Sequence, residues 1–221
     1  MSENFSVLKK CPLFAGISGS DFNPLITCLS GKLRRCSKDE TIIFEGDAPG
    51  AVGIVLSGSV RVTKDDYFGN RNIISEIGAG GIFAEAVVCA QAEASPVSVT
   101  AAEETEVMLT GYSKIVTSCS SACGFHNRLV MNMLQVLGQK NLSLVDKLEH
   151  LTKRSTREKV LSYLSEQAKR AGSDSFIIPF NRQELADYLS VERSALSAEL
   201  SKMQSDGIIR FRKNRFELIG K

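Results

Sequence analysis

Tryptophan is absent from this 221-residue chain, aromatic residues make up 7% of it, and it has only two histidines and five prolines. His126 and His150 are too few for most histidine-based catalytic or metal constellations. No Gly-rich phosphate loop, nucleophile elbow or carboxylate–histidine pairing at a recognisable spacing accompanies them. The chain is therefore read as a non-enzyme. Apolar runs stay short of the ~18 residues that a membrane span needs, and the N-terminus MSENFSVLKK lacks the apolar centre of a signal peptide. A cytoplasmic location with no membrane partner is expected. The six cysteines (Cys11, Cys28, Cys36, Cys89, Cys119, Cys123) are too dispersed for a disulfide scaffold, so most are expected to be reduced and partly buried. With 43% hydrophobic residues, the composition is that of a folded soluble protein.

Charge is nearly balanced overall but unevenly placed. Residues 1–151 carry 13 Lys/Arg against 16 Asp/Glu, whereas residues 152–221 carry 14 against 9. A basic C-terminal third points to an anionic partner at that end.

The first half reads as strands. Leu13 to Ser30 predicts a short helical lead-in with Asp21 as its N-cap. Short apolar runs then follow (Thr41 to Phe44, Gly53 to Leu56, Ser59 to Thr63, Asn72 to Ile77, Val97 to Ala101, Thr105 to Leu109), separated by turn clusters around residues 46–50 and 65–70. Many short strands without long intervening helices imply an antiparallel sandwich or barrel, with Ile82 to Ala90 as one helical insertion.

A different period rules Phe125 to Leu151. Val130, Leu134, Leu137, Asn141, Leu144, Leu148 and Leu151 alternate steps of four and three, the period of a coiled-coil seam. Asn141, at an a position, favours a parallel, in-register homodimer. Such a helix is on the order of 40 Å long. The alternative is a core helix of one domain, whose stripe is usually wider than a strict a/d seam.

Phe44-Glu45-Gly46-Asp47 and Gly53-Ile54-Val55-Leu56-Ser57-Gly58-Ser59-Val60 resemble the jelly-roll effector domain of the Crp/Fnr superfamily of bacterial transcription regulators. The resemblance covers essentially the whole chain, because the long helix and the C-terminal region arrive in the family's order. It implies an α+β fold: an N-terminal double-stranded β-helix or jelly roll (1–121), a long dimerisation helix (122–151) and a winged helix-turn-helix (152–221). It also implies an effector pocket between roll and helix, formed here by Phe83, Ala84, Glu85, Ala86, Ser95, Pro96, Val97 and Ser98. Cyclic-nucleotide-binding relatives carry Gly-Glu and then Arg-Ser in this cassette. Here Glu85 is kept, but Ala84 replaces the Gly, and Ser95-Pro96 stand where Arg-Ser would hold the phosphate. A phosphate thereby loses a bidentate cation and a hydroxyl, and Pro offers no N–H. The expected effector is a small molecule other than cyclic AMP, in a pocket more apolar than a nucleotide site, and its identity stays open. An alternative is a redox, metal or haem sensor, because Cys119, Cys123 and His126 follow i, i+4, i+7 spacing. Structural thiols are the favoured reading there. A remote alternative is a cyclic-nucleotide-responsive regulator.

In the C-terminal third, Arg157 to Lys169 predicts an amphipathic helix after a polar hinge at 153–156, and Asn181-x-x-Glu184 a capping box. From Arg182 to Met203, Leu185, Ala186, Leu189, Val191, Leu196, Leu200 and Met203 lie at helix-turn-helix spacing, with Ser190 where the motif generally has Gly. Arg193, Ser194, Ser197, Ala198 and Ser201 form the opposite face, which would enter the major groove, Arg193 reaching a guanine. Related proteins usually have Arg at the position of Ala198. Arg182 and Gln183 suit phosphates, and Arg212, Lys213 and Arg215 belong to a wing that follows Asp206-Gly207. The implied partners are double-stranded DNA with a palindromic operator, a second copy of the chain and RNA polymerase.

Overall fold

The computed structural model describes residues 2–17, 19–48, 50–116 and 125–219. They fall into two units, one comprising residues 1–65 and 74–140, the other residues 66–73 and 141–221.

The first unit opens with α1 (Ser2–Lys10), a 3-10 turn (Pro12–Phe14) and α2 (Gly19–Leu29). Eight strands follow: β1 (Lys32–Cys36), β2 (Thr41–Ile43), β3 (Ala51–Ser57), β4 (Ser59–Asp65), β5 (Arg71–Gly78), β6 (Ile82–Phe83), β7 (Ser98–Ala101) and β8 (Thr105–Gly111). A short helix, α3 (Glu85–Cys89), interrupts them, and α4 (Tyr112–Val116) follows β8. The strands form two four-stranded sheets, ordered β1-β8-β3-β6 and β2-β7-β4-β5, the jelly-roll arrangement expected. In the first, β3 and β8 pair antiparallel with Ile54 opposite Met108 and Val55 opposite Val107.

The near-continuous apolar run in β3 has a simple cause: this strand is covered on both faces. Val52, Ile54 and Leu56 point into a core shared with Leu13, Phe22, Leu25 and Leu129. Val55 points the other way, into the core between the sheets with Val60, Phe83, Val99 and Val107. Each such side chain contributes roughly 1.5–3 kcal/mol on burial. Two turns demand glycine. Gly46 has φ +93° and Gly58 φ +73°, and a Cβ on Gly58 would lie 2.5 Å from the Glu104 carbonyl oxygen.

Four details depart from the sequence expectation. Ile82 and Phe83, read as part of a helical insertion, form strand β6 because they pair with Ile54 and Gly53 of β3, and the helix is confined to α3. α1 was not anticipated, and its anchor is Leu8, 5% exposed. β1 was hidden by its polar sequence. Its pairing along β8 and the ion pairs Arg34–Glu40 (2.9 Å) and Arg35–Glu106 (3.4 Å) hold it, while Leu33 faces solvent. Asp21 lies inside α2, because the helix already begins at Gly19; its charge still suits the first turn.

The 27-residue α5 (Phe125–Leu151) crosses from the first unit to the second. Its first half buries Phe125, Leu129, Met133 and Val136 in the first unit's core. The Asn132 amide donates to the carbonyls of Leu13 and Ala15, both at 2.9 Å. The second unit continues with α6 (Thr156–Ala171), β9 (Ser175–Ile177), α7 (Arg182–Leu189), α8 (Arg193–Ser205), β10 (Ile209–Arg212) and β11 (Arg215–Leu218), its strands ordered β10-β11-β9. Within the stretch read as a polar hinge, Ser155 is the N-cap of α6, in a capping box with Glu158. Gly172, left-handed at φ 62°, ends that helix.

The expected box at Asn181 is present. Its Oδ1 accepts from the N–H groups of Gln183 (2.9 Å) and Glu184 (3.1 Å), and Glu184 accepts from the Asn181 N–H at 2.7 Å. Asn181→Ala should cost about 1 kcal/mol, and Asn181→Gly only a few tenths. Urea unfolding of the two variants should show that order.

Candidate nucleic-acid interface and effector site

The helix-turn-helix is held from inside. Leu185, Ala186 and Leu189 of α7 and Leu196, Leu200 and Met203 of α8 are all 0% exposed. Ala186 is small where the two helices meet, as its place in the pattern requires. Ser190 closes α7 in the left-handed region (φ 50°, ψ 58°), the conformation that explains the family's Gly there. Lys159 Nζ supports this turn by donating to the carbonyls of Leu189 (3.4 Å) and Ser190 (3.5 Å). Arg157 bridges Glu199 (3.4 Å) and Asp206 (2.6 Å), tying α6 to α8 and the residue that follows it. Neither role is visible in the sequence, since partners 30 to 49 residues away follow no local period.

The face left open on α8 is the one expected to read DNA. Arg193, Ser194, Ala198 and Ser201 are exposed, and Ser197 is half-buried. Ser201 Oγ donates to the Ser197 carbonyl at 3.0 Å, which leaves that hydroxyl as an acceptor toward any base or phosphate donor. Arg212, Lys213 and Arg215 are exposed around the β10–β11 turn, with Lys213 left-handed at φ 57°. Arg182 and Gln183 are engaged in ways that spacing did not foretell. The Arg182 guanidinium lies 4.7 Å from the Phe211 ring centroid and 5.7 Å from that of Phe216, a cation–π stack that props the wing. Burial there lowers its pKa. Gln183 Nε2 donates to Asp187 at 2.8 Å.

The cassette in the roll is closed by the chain's own groups. Ala84 is left-handed (φ 63°), in keeping with the glycine of relatives, and caps α3. Glu85 is 3% exposed. Its Oε1 meets Lys140 Nζ of α5 at 2.8 Å, Lys140 also donates to the Ile82 carbonyl at 2.6 Å, and Glu85 Oε2 is buried without a partner. Ser95, 3% exposed, spends its hydroxyl on the Val97 carbonyl (2.6 Å), its N–H on Asp47 and its carbonyl on the Gly46 N–H. Pro96 and Ala86 face solvent, Val97 and Ser98 are half-buried, Ser98 Oγ accepts from the Glu45 N–H, and Phe83 is sealed in the sandwich core. Lys140 is the residue here that sequence reasoning missed; it approaches Glu85 from a helix 55 residues further on.

On α5 the seam and the buried face are opposed. Leu134 (59%), Leu144 (48%) and Leu148 (59%) are exposed, as is Asn141, while Val130, Leu137 and Leu151 are half-buried. Met131, Leu142 and Val145 widen the exposed apolar strip beyond the strict seam.

Cys119 and Cys123 lie outside the described residues. His126 is 3% exposed, its Nε2 3.9 Å from Cys28 Sγ and its Nδ1 without a partner. Among the described residues, no group of three His, Cys, Asp or Glu is placed to hold a metal ion. Burial raises the pKa of Cys11 to about 11 and pushes those of Cys36 and Cys89 up as well, which keeps these thiols protonated. A carboxylate–histidine pair does form, at no recognisable sequence spacing. His150 Nε2 meets Glu166 at 2.5 Å and Nδ1 meets Ser162 Oγ at 2.8 Å, an arrangement created by packing α5 on α6. His150 is 3% exposed, so the trio ties two helices and faces no substrate. No helix among the described residues is long and apolar enough to cross a membrane.

Comparison with known proteins converges on one family. A model described as a cyclic nucleotide-binding domain matches residues 33–119, and one described as a Crp-like helix-turn-helix domain matches residues 158–219. The chain is 24% identical over 207 residues to the cyclic AMP receptor protein of Thermus thermophilus, covering 92% of this chain and 90% of that one. It is 22% identical over 200 residues to the transcriptional activator protein FnrL of Cereibacter sphaeroides, covering 81% and 73%. Among solved structures, the c-di-GMP responsive global regulator CLP of Xanthomonas campestris aligns with a TM-score of 0.74 at 19% identity, covering 90% of this chain and 100% of that chain. FixK2 of Bradyrhizobium japonicum aligns with 0.67 at 23%, covering 85% and 92%. With both domain models matched in order on a jelly roll, a long helix and a winged helix-turn-helix, the chain belongs to the Crp/Fnr superfamily of DNA-binding transcription regulators.

Proposed function

We propose that this regulator acts as a homodimer on a palindromic operator and is gated by a small effector of the roll other than a cyclic nucleotide. The observation that carries the reading is the exposed apolar strip on α5: leucines 48–59% exposed line one side of a helix whose other side is already buried. A second copy of the same helix covers such a strip in register, with Asn141 facing its twin. Two helix-turn-helix units then meet half-sites about 34 Å apart. Residues 1–121 serve as the effector domain, 122–151 as the dimer helix and 152–221 as the DNA reader. RNA polymerase and a cytoplasmic setting follow from kinship with bacterial regulators. The chemistry proposed is recognition, not catalysis.

On DNA, Arg193 reads a base, while Ser194, Ser197 and Ser201 complete the reading face. Gln183, Arg212, Lys213 and Arg215 line the backbone, with Arg182 supporting the wing from behind. In the roll, none of the described cassette residues stands ready for a cyclic phosphate. Ser95 is fully used, Pro96 has no N–H, and the cation nearest Glu85 is already paired with it.

Three outcomes test this. Leu144→Glu combined with Leu148→Glu should convert the dimer to monomer in sedimentation analysis; an unchanged dimer would remove the seam from the interface. Arg193→Ala should cost about 1–3 kcal/mol on the cognate site and relax one base position, whereas Lys213→Ala should weaken all sequences alike and lower the salt slope by about one. Calorimetric titration with cyclic AMP should give no binding heat, and saturable micromolar binding would restore the nucleotide reading.

A further inference from the structure

A lysine ammonium is seldom buried, because leaving water costs the charged form heavily unless partners replace its hydration. Lys147, in the second half of α5, is only 6% exposed. Its Nζ donates to the carbonyl of Ile73 and stands 4.5 Å from the centroid of the Tyr188 ring of α7. Ile73 belongs to residues 66–73, the tip of the β4–β5 hairpin, which lies within the C-terminal unit. Its side chain, 1% exposed, joins the core built by Tyr163, Leu185, Leu189 and Leu196. One residue earlier, Asn72 Oδ1 accepts from Ser190 Oγ at 3.3 Å, and Ser190 is the residue that turns α7 toward α8. An apolar plug and a hydrogen bond at the turn thus hold one hairpin tip on the helix-turn-helix, with a buried lysine beside them.

We propose that the clamp between the tip of the β4–β5 hairpin and the helix-turn-helix is proton-gated by Lys147, which lets the tip seat as the neutral amine and opposes seating as the ammonium. The gate is built into the chain and rests on neither the effector nor the operator. Its sign follows from burial, which pushes the Lys147 ammonium from 10.5 down to about 8. When the tip lifts, the amine returns to water and to its ordinary affinity for a proton. Docking therefore releases a proton, so the docked state gains as pH rises between about 8 and 10.5 and is weakest below that window. The Tyr188 phenol facing the amine is pushed up to about 12, first by burial, then by Glu166 and Asp146 against Arg170. The ring therefore stays neutral throughout. Charged groups on the packed elements include Glu166 and Arg170 of α6, Asp146 and His150 of α5, Arg182, Glu184 and Asp187 of α7, and Asp66 and Arg71, both exposed on the hairpin tip.

Hydrogen–deuterium exchange of the full-length protein, corrected for the intrinsic pH dependence of exchange, tests the clamp. Protection of residues 66–73 and of α7 should rise on the order of tenfold from pH 7 to pH 9 relative to core strands of the roll. Lys147→Met, which fills the site without charge, should leave the tip protected at both pH values and abolish the rise. Lys147→Arg, which cannot shed its proton, should leave the tip unprotected at both, and it decides the matter together with the parent protein if the Met variant fails to fold. A flat profile in the parent protein, or the same rise in Lys147→Met or Lys147→Arg, would overturn the proposal.

Discussion

Everything in this molecule hangs on one helix having two faces of different fate. The first half of α5 is sunk into the core of the N-terminal unit, locked by Asn132 across to the backbone of Leu13 and Ala15. The opposite face carries leucines that the chain alone cannot cover. Water is a poor neighbour for so long an apolar strip, and this single constraint is what the proposed pairing with a second copy would relieve.

The second half of α5 solves a different problem. Where it meets α6 and α7 the interface is polar: His150, Glu166, Ser162, Arg170, Asp146 and Lys147 all cluster there. A polar joint of this kind contributes little net stability, because desolvation offsets most of what its contacts return. It does define one geometry sharply, since any displacement leaves a buried charge unmatched. That suits a place where the position of a recognition helix has to be set.

The reading face and the sensing site contrast in the same terms. On α8 and the wing, Arg193, Arg212, Lys213 and Arg215 are left open on a scaffold whose core leucines are fully buried. In the roll, the groups that would meet a ligand have been consumed internally: Glu85 by Lys140, Ser95 by its own loop. The open face of the helix-turn-helix keeps Arg193 and the wing cations exposed, and in the roll Glu85 is held in an internal ion pair with Lys140.

Local patterns were enough for the seam period, the strand alternation, the glycine turns at Gly46 and Gly58, the capping box at Asn181 and the two helices of the reader, because each is governed by residues a few positions apart. That Ser95-Pro96 offers no guanidinium is also plain from the sequence alone. Tertiary structure decided the rest. Strand β1 is a strand only because β8 pairs with it, and Arg182 meets the wing rings only because β10 and β11 fold back on α7. Lys140 reaches Glu85, His150 finds Glu166, and Lys147 is dehydrated beneath Ile73 and Tyr188, through contacts spanning 16 to 74 residues. Whether a charged side chain becomes a ligand for DNA, a strut or a clamp depends on how much water remains around it, and only packing settles that.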